Sequence, residues 1–141
     1  MTDYLQEMYS SAYYGYVNGD ILMHSSIATI LSFLSKQAPS DHHLVVGRRY
    51  NTYVTSGVKA QLTSQTAVDR FIEEAIEYNE QFIPVAQDYF IFSPGTLTKQ
   101  NVLPVVIGRN RYDNYLLTVC KQDPSCSLID GSNASRSIVG S

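Results

Sequence analysis

The chain has 141 residues, 44% of them hydrophobic and 16% charged, and a formal net charge of −3. That length suits one domain, or a large piece of one, with a real core, and the apolar content excludes a disordered polymer. The acidic balance, with no cluster of five Lys and Arg, excludes a basic nucleic-acid-binding tail. In chain order, residues 3–11 can form a helix, and Ala12 to Val17 reads as a short strand from its aromatic and β-branched content. Asn18-Gly19-Asp20 reads as a turn. Ser25-Ser26 offers an N-cap, and Ile27, Ile30, Leu31 and Leu34 recur at helical spacing, so a helix is expected to about Gln37, before Pro39. The same region is the longest apolar stretch, but His24, Ser25, Ser26, Thr29 and Ser32 interrupt it and it is too short to span a bilayer.

Leu44 to Val46 predicts a second buried strand stopped by Gly47, and the strand–helix–strand order suggests a βαβ unit with parallel strands. Arg48 to Ser64 is polar and reads as a long loop. Thr66 can cap a helix from Ala67 to about Phe82, with Val68, Phe71, Ile72, Ala75 and Phe82 on one stripe and Glu73, Glu74, Glu77 and Glu80 opposite. Strands are expected over 89–92 and 102–107, the latter weakened by Pro104. A helix is expected over 111–121 and a last short strand over 126–129. Residues 133–141 read as a flexible Ser/Gly-rich tail, carrying the sequon Asn133-Ala134-Ser135. The fold class is therefore α/β, a mixed sheet of about five strands flanked by helices. Cys120 and Cys126 have a spacing that permits a small loop disulfide; with no disulfide framework, ordinary thiols are the expectation. The three histidines lack metal-ligand spacing, and His42-His43 are expected in a solvated loop.

Four clusters can carry chemistry. Asp20 follows a strand end, where α/β sheets place ligands, and a hard carboxylate there can hold Mg²⁺ or Mn²⁺, while Gly19 lets the backbone approach closely. Gly47-Arg48-Arg49 also follows a strand, and paired guanidiniums can clamp phosphate through forked donors. Asp88 opens the 89–92 strand and Asp113 opens a helix. Each also has a plain structural reading as turn, cap or loop chemistry.

Read in order, YGYVNGDIL, LVVGRRYN, AQDYFIFSPG, LPVVIGRNRYDNYLL and SLIDGS resemble the C-terminal half of a family of nucleotide-diphospho-sugar transferases with the GT-A type fold. The resemblance covers nearly all of residues 12–132. It implies transfer of a sugar from a nucleotide-diphosphate donor to a hydroxyl acceptor. Asn18, Gly19 and Asp20 stand at the family's acidic motif, with Asp20 the metal ligand for Mn²⁺ or Mg²⁺. Arg48, Arg49 and Arg109 stand at donor-binding positions, and Asp113 and Asp88 at catalytic ones, Asp113 being the acceptor-side carboxylate. Two features depart from the family. The βα units that hold the nucleotide base would precede residue 18, where only 17 residues stand, and no histidine follows Asp130. Residues 1–132 are thus expected to be a partial domain with weak donor binding. The rival expectation is a catalytically inactive remnant serving as a structural or interaction module, with self-association through an exposed sheet edge. A third is an unrelated α/β protein whose clusters are turns and caps. The sequence carries no visible leader and gives no cellular address.

Overall fold

A computed structural model describes residues 2–37, 42–78, 87–103, 112–132 and 137–140. The elements follow the apolar pattern closely in the centre of the chain. In order they are α1 (Thr2–Met8), β1 (Tyr14–Val17), β2 (Ile21–Met23), α2 (Ser26–Gln37), β3 (His42–Gly47) and β4 (Tyr50–Thr52). Then come α3 (Ser56–Gln61), α4 (Gln65–Tyr78), β5 (Tyr89–Phe92), α5 (Tyr112–Gln122), β6 (Cys126–Asp130) and β7 (Ser137–Gly140).

Among the described residues the strands form two sheets rather than one of about five strands. The first is four-stranded and mixed, in the order β1-β5-β3-β6; the second is β2-β7-β4. In the first sheet β5 runs antiparallel to both β1 and β3, and β6 runs parallel to β3. β1 and β3, the two strands of the expected βαβ unit, are therefore parallel in direction, but β5 sits between them in the sheet and β2 precedes α2 in the chain.

β3 and β5 are central, and a strand covered on both faces needs apolar residues at every position. HHLVVG and YFIF meet that demand, with all of β5 and all but the first residue of β3 buried. Leu44, Val46, Phe90 and Phe92 face Leu116, Val119 and Cys120 of α5. Val45, Tyr89 and Ile91 face Ile27, Leu31 and Leu34 of α2. Each large side chain buried this way contributes roughly 1.5–3 kcal/mol. α4 buries Ile72 and Ala75 against Leu22 and Tyr50 of the second sheet.

Several expectations change here. The 48–64 segment is not a bare loop: it holds β4 and α3, the latter capped by the Thr55 hydroxyl, which accepts from the Val58 N–H at 3.3 Å. α4 starts before Thr66, because the Ser64 hydroxyl accepts from the Ala67 N–H at 3.2 Å. Residues 137–140, expected within a flexible tail, form the middle strand of the second sheet, because β2 and β4 both need a partner for their backbone groups. His42 and His43 open β3 instead of sitting in a solvated loop; His43 is buried, and its Nδ1 lies 2.9 Å from the Tyr13 hydroxyl. Cys120 and Cys126 are disulfide-bonded, not free thiols. A tight turn brings them together: the Asp123 N–H donates to the Cys120 carbonyl at 3.1 Å and the Cys126 N–H to the Asp123 carbonyl at 3.0 Å. Val102 is a bend and not a strand residue, and the remainder of the expected 102–107 strand lies mostly outside the described residues, as does the sequon. No helix among the described residues is long and apolar enough to cross a membrane.

Candidate functional site

Strand direction decides where the polar clusters meet. Val17 and Gly47 both pair with Tyr89, and Val46 pairs with Asp130. The carboxyl ends of β1, β3 and β6 and the amino end of β5 therefore lie at one end of the first sheet. There, β1 passes through Asn18-Gly19-Asp20 into β2, and β3 passes through Arg48-Arg49 into β4. Asp88 sits immediately before β5. Asp113, in the first turn of α5, joins it, because one of its carboxylate oxygens accepts from the Gln87 N–H at 3.2 Å. The structure thus brings Asn18, Gly19, Asp20, Arg48, Arg49, Asp88 and Asp113 to one end of one sheet. Gly108 and Arg109 lie outside the described residues.

Within this set the partners are specific. Asp88 is 3% exposed and receives the Arg49 guanidinium on one oxygen and the Arg49 backbone N–H, at 3.2 Å, on the other. The Asp88 N–H in turn donates to the Gly47 carbonyl at 2.9 Å. This buried pair fixes the Gly-Arg-Arg turn against β5. Both Asp88 oxygens are occupied, which suits a positioning group better than the catalytic role expected of it.

Arg48 is held from a different side. Its backbone N–H donates to the Ser132 hydroxyl at 3.0 Å, its Nε reaches the same oxygen at 3.4 Å, and its guanidinium lies 3.9 Å from Asp130. Asp130 and Ser132 are members of the cluster that the strand-end reading passed over. The signal was present: in Asp130-Gly131-Ser132 the aspartate accepts from the N–H two residues on, at 2.9 Å, the usual Asx turn. The Ser132 hydroxyl holds the Asp130 carboxyl below its ordinary value against an upward push from burial, with the Ser132 N–H and the Arg48 charge assisting. A depressed carboxyl pKa adds stability above the unfolded value of about 3.9, and that contribution is lost as the pH falls through the folded value. Ser132→Ala is expected to move the Asp130 midpoint up towards the ordinary value, read from its side-chain carboxyl ¹³C shift between pH 2 and 6.

Asn18 Oδ1 accepts from the Tyr16 hydroxyl at 3.0 Å, which orients the amide. Tyr112, beside Asp113, has its phenol pushed up by burial first and then by Tyr16 and Asp113. The side-chain oxygen of Gln87 is buried without a hydrogen-bond partner among the described residues. Such an orphaned acceptor is costly unless something occupies it.

Asp20 is exposed and stands apart from this network. With Gly19 it lines a cleft of about 420 Å³ whose other walls are Ile21, Leu22, Val54, Lys59 and Leu62. The cleft does not take in Arg48, Arg49, Asp88 or Asp113. No group of three His, Cys, Asp or Glu stands together among the described residues. A single exposed carboxylate does not make a resident metal cage. It does fit a Mg²⁺ or Mn²⁺ ion that arrives bridged to a diphosphate, since Mg²⁺ commonly takes one or two carboxylates and completes its shell with phosphate and water. Asn18, already holding the Tyr16 hydroxyl, retains a second lone pair for such an ion.

No family model, curated protein or solved structure matches this chain.

Proposed function

We propose that the chain is the C-terminal part of a GT-A-type nucleotide-diphospho-sugar transferase domain, which moves a sugar from a nucleotide-diphosphate donor to a hydroxyl acceptor. The observation that carries this reading is that the Asn18–Asp20 turn, Arg48-Arg49, Asp88 and Asp113 all stand at the carboxyl end of the parallel strands, with Asp20 lining a cleft of its own. Open α/β sheets bind ligands at that end, and the order of the motifs agrees with the family resemblance.

In this reading Asp20, with Asn18 as a second oxygen, would hold a divalent ion, which would supply charge neutralisation for the departing diphosphate when bound. Arg48, steadied by Ser132 and Asp130, adds a fixed positive charge at the same sheet end. Arg49 and Asp88 set the shape of the turn that presents Arg48. Asp113 accepts the proton of the attacking hydroxyl as that oxygen bonds to the anomeric carbon and the bond to the diphosphate breaks.

A second reading has its own support: Arg49 and Asp88 satisfy each other, and the Asp20 cleft does not reach them. It makes the chain a non-catalytic module, with β1, an edge strand among the described residues, offering backbone groups to a partner or a second copy. One experiment separates the two. Uridine and guanosine diphosphate sugars are titrated into the protein with and without Mg²⁺, and ligand signals are followed by NMR. Mg²⁺-dependent binding that disappears in Asp20→Ala is the result expected of the transferase reading; no binding at millimolar ligand leaves the module reading.

A further inference from the structure

Two phenols stand between the Asn18 turn and Asp113. Tyr16 of β1 pairs with Phe90 of β5, and the Tyr112 ring, at the start of α5, meets Phe90 edge to face with centroids 6.2 Å apart. Both tyrosines are half-buried against the core cluster that holds Phe90 and Leu116. The Tyr16 hydroxyl donates to Asn18 Oδ1 at 3.0 Å. The Tyr112 phenol is raised above its ordinary value by burial first, then by its neighbours Tyr16 and Asp113. Asn18, Tyr16, Tyr112 and Asp113 therefore form one continuous arc. The tyrosines packed against this cluster mostly have their hydroxyls engaged: Tyr14 with the Tyr9 carbonyl, Tyr16 with Asn18, and Tyr115 with the Leu103 N–H. The Tyr112 hydroxyl has no hydrogen-bond partner among the described residues. A tyrosine hydroxyl drawn out of water usually finds one.

Among the described residues the arc offers one amide, two phenols and one carboxylate. Arg48 and Arg49 are held beside it, Arg49 by Asp88 and Arg48 by Ser132 and Asp130. A phosphate asks for charged donors, and an aliphatic ligand asks for apolar walls. A sugar presents neighbouring hydroxyls, each both donor and acceptor, on a partly apolar ring, and phenols match it with an apolar body and a polar tip. We infer that the hydroxyl acceptor is a carbohydrate and that Tyr112 determines its binding, the phenol donating to the sugar oxygen next to the one whose proton Asp113 accepts. This rests on the transferase reading above and narrows its acceptor class. Burial keeps the phenol protonated at neutral pH, so it acts there as a donor.

The test titrates the methyl glycosides of glucose, galactose and mannose, their monodeoxy analogues and, for comparison, butanol into the full chain labelled at the tyrosine ζ-carbons. Wild type and Tyr112→Phe are compared. The Phe variant keeps the ring against Phe90, and its amide spectrum reports directly whether it is folded. The expected result is that at least one glycoside binds and shifts the Tyr112 signal while butanol does not. Tyr112→Phe should weaken that glycoside about fivefold, as one neutral hydrogen bond implies. The deoxy analogue lacking the oxygen that Tyr112 holds should bind wild type about fivefold more weakly than its parent, and bind Tyr112→Phe as well as its parent does. A merely structural tyrosine would not erase that discrimination. Glycosides that bind both proteins equally overturn the role of Tyr112, and binding of butanol alone, or of nothing at tens of millimolar, overturns the carbohydrate acceptor. The transferase reading itself fails separately, in the nucleotide-sugar titration described above.

Discussion

Gly47→Ala is expected to destabilise the protein by about 3 kcal/mol, at the upper end of what overpacking a well-filled core costs. For a chain of this length that corresponds to a fall in Tm of roughly 10 °C. The cause is steric. Gly47 ends β3, and a Cβ there would run into the hydroxyl and ring carbons of Tyr89. Tyr89 cannot swing aside: it is fully buried, packed with Val45 and Ile91, and its hydroxyl would also stand only 2.8 Å from a Cβ placed on Gly131. Two glycines, one ending β3 and one just past the end of β6, thus form the slot for one tyrosine ring. Urea denaturation checks this, with the midpoint falling at constant slope. A double-mutant cycle sharpens it: Tyr89→Leu should cost less in the Gly47→Ala background than alone, because part of the clash has gone. An unchanged midpoint in Gly47→Ala would remove the slot from the account.

The second large effect is expected at Arg49. Arg49→Ala strips Asp88 of its guanidinium and leaves a carboxylate that is 3% exposed. Breaking a buried pair from one side typically costs about 3–5 kcal/mol, because the remaining charge stays uncompensated. Asp88→Asn added to Arg49→Ala should recover a good part of that loss, since an amide needs no counter-charge. Denaturant melts of the two single variants and the double variant decide the matter. Recovery marks the pair as structural. If the double variant is as unstable as Arg49→Ala alone, the uncompensated charge is not what the arginine prevents.

The central fold is legible in the sequence because its signals are local. α2, α4 and α5 follow from the spacing of Ile27, Leu31 and Leu34, of Val68, Ile72 and Ala75, and of Leu116 and Val119. β3 and β5 follow from uninterrupted apolar runs. The strand ends then follow, and with them the positions of Asp20, Arg48 and Asp88. What the sequence does not display is pairing between distant segments. β2 and β4 have three residues each, and nothing in ILM or YNT says that β7 lies between them. Nothing in AYYGYV and HHLVVG says that YFIF separates them. The same limit applies at the site: Arg49 and Asp88 stand 39 residues apart, and Arg48 and Ser132 are 84 apart, so their contacts exist only once the sheet is assembled. The Cys120–Cys126 bond is different, since it is local. There the spacing left both outcomes open, and the turn around Asp123 decided between them.

The order β2-β7-β4 also governs when the second sheet can form. Ile21 pairs with Val139 and Asn51 with the same residue, so both outer strands must wait for a segment made more than eighty residues later. During synthesis the first sheet can collapse as soon as β6 emerges, while β2 and β4 wait for β7 to be made. Contacts so distant along the chain are slow to close. The wall carrying Asp20 is therefore completed late, and a nascent chain has its arginine-bearing turn in place before its Asp20 cleft.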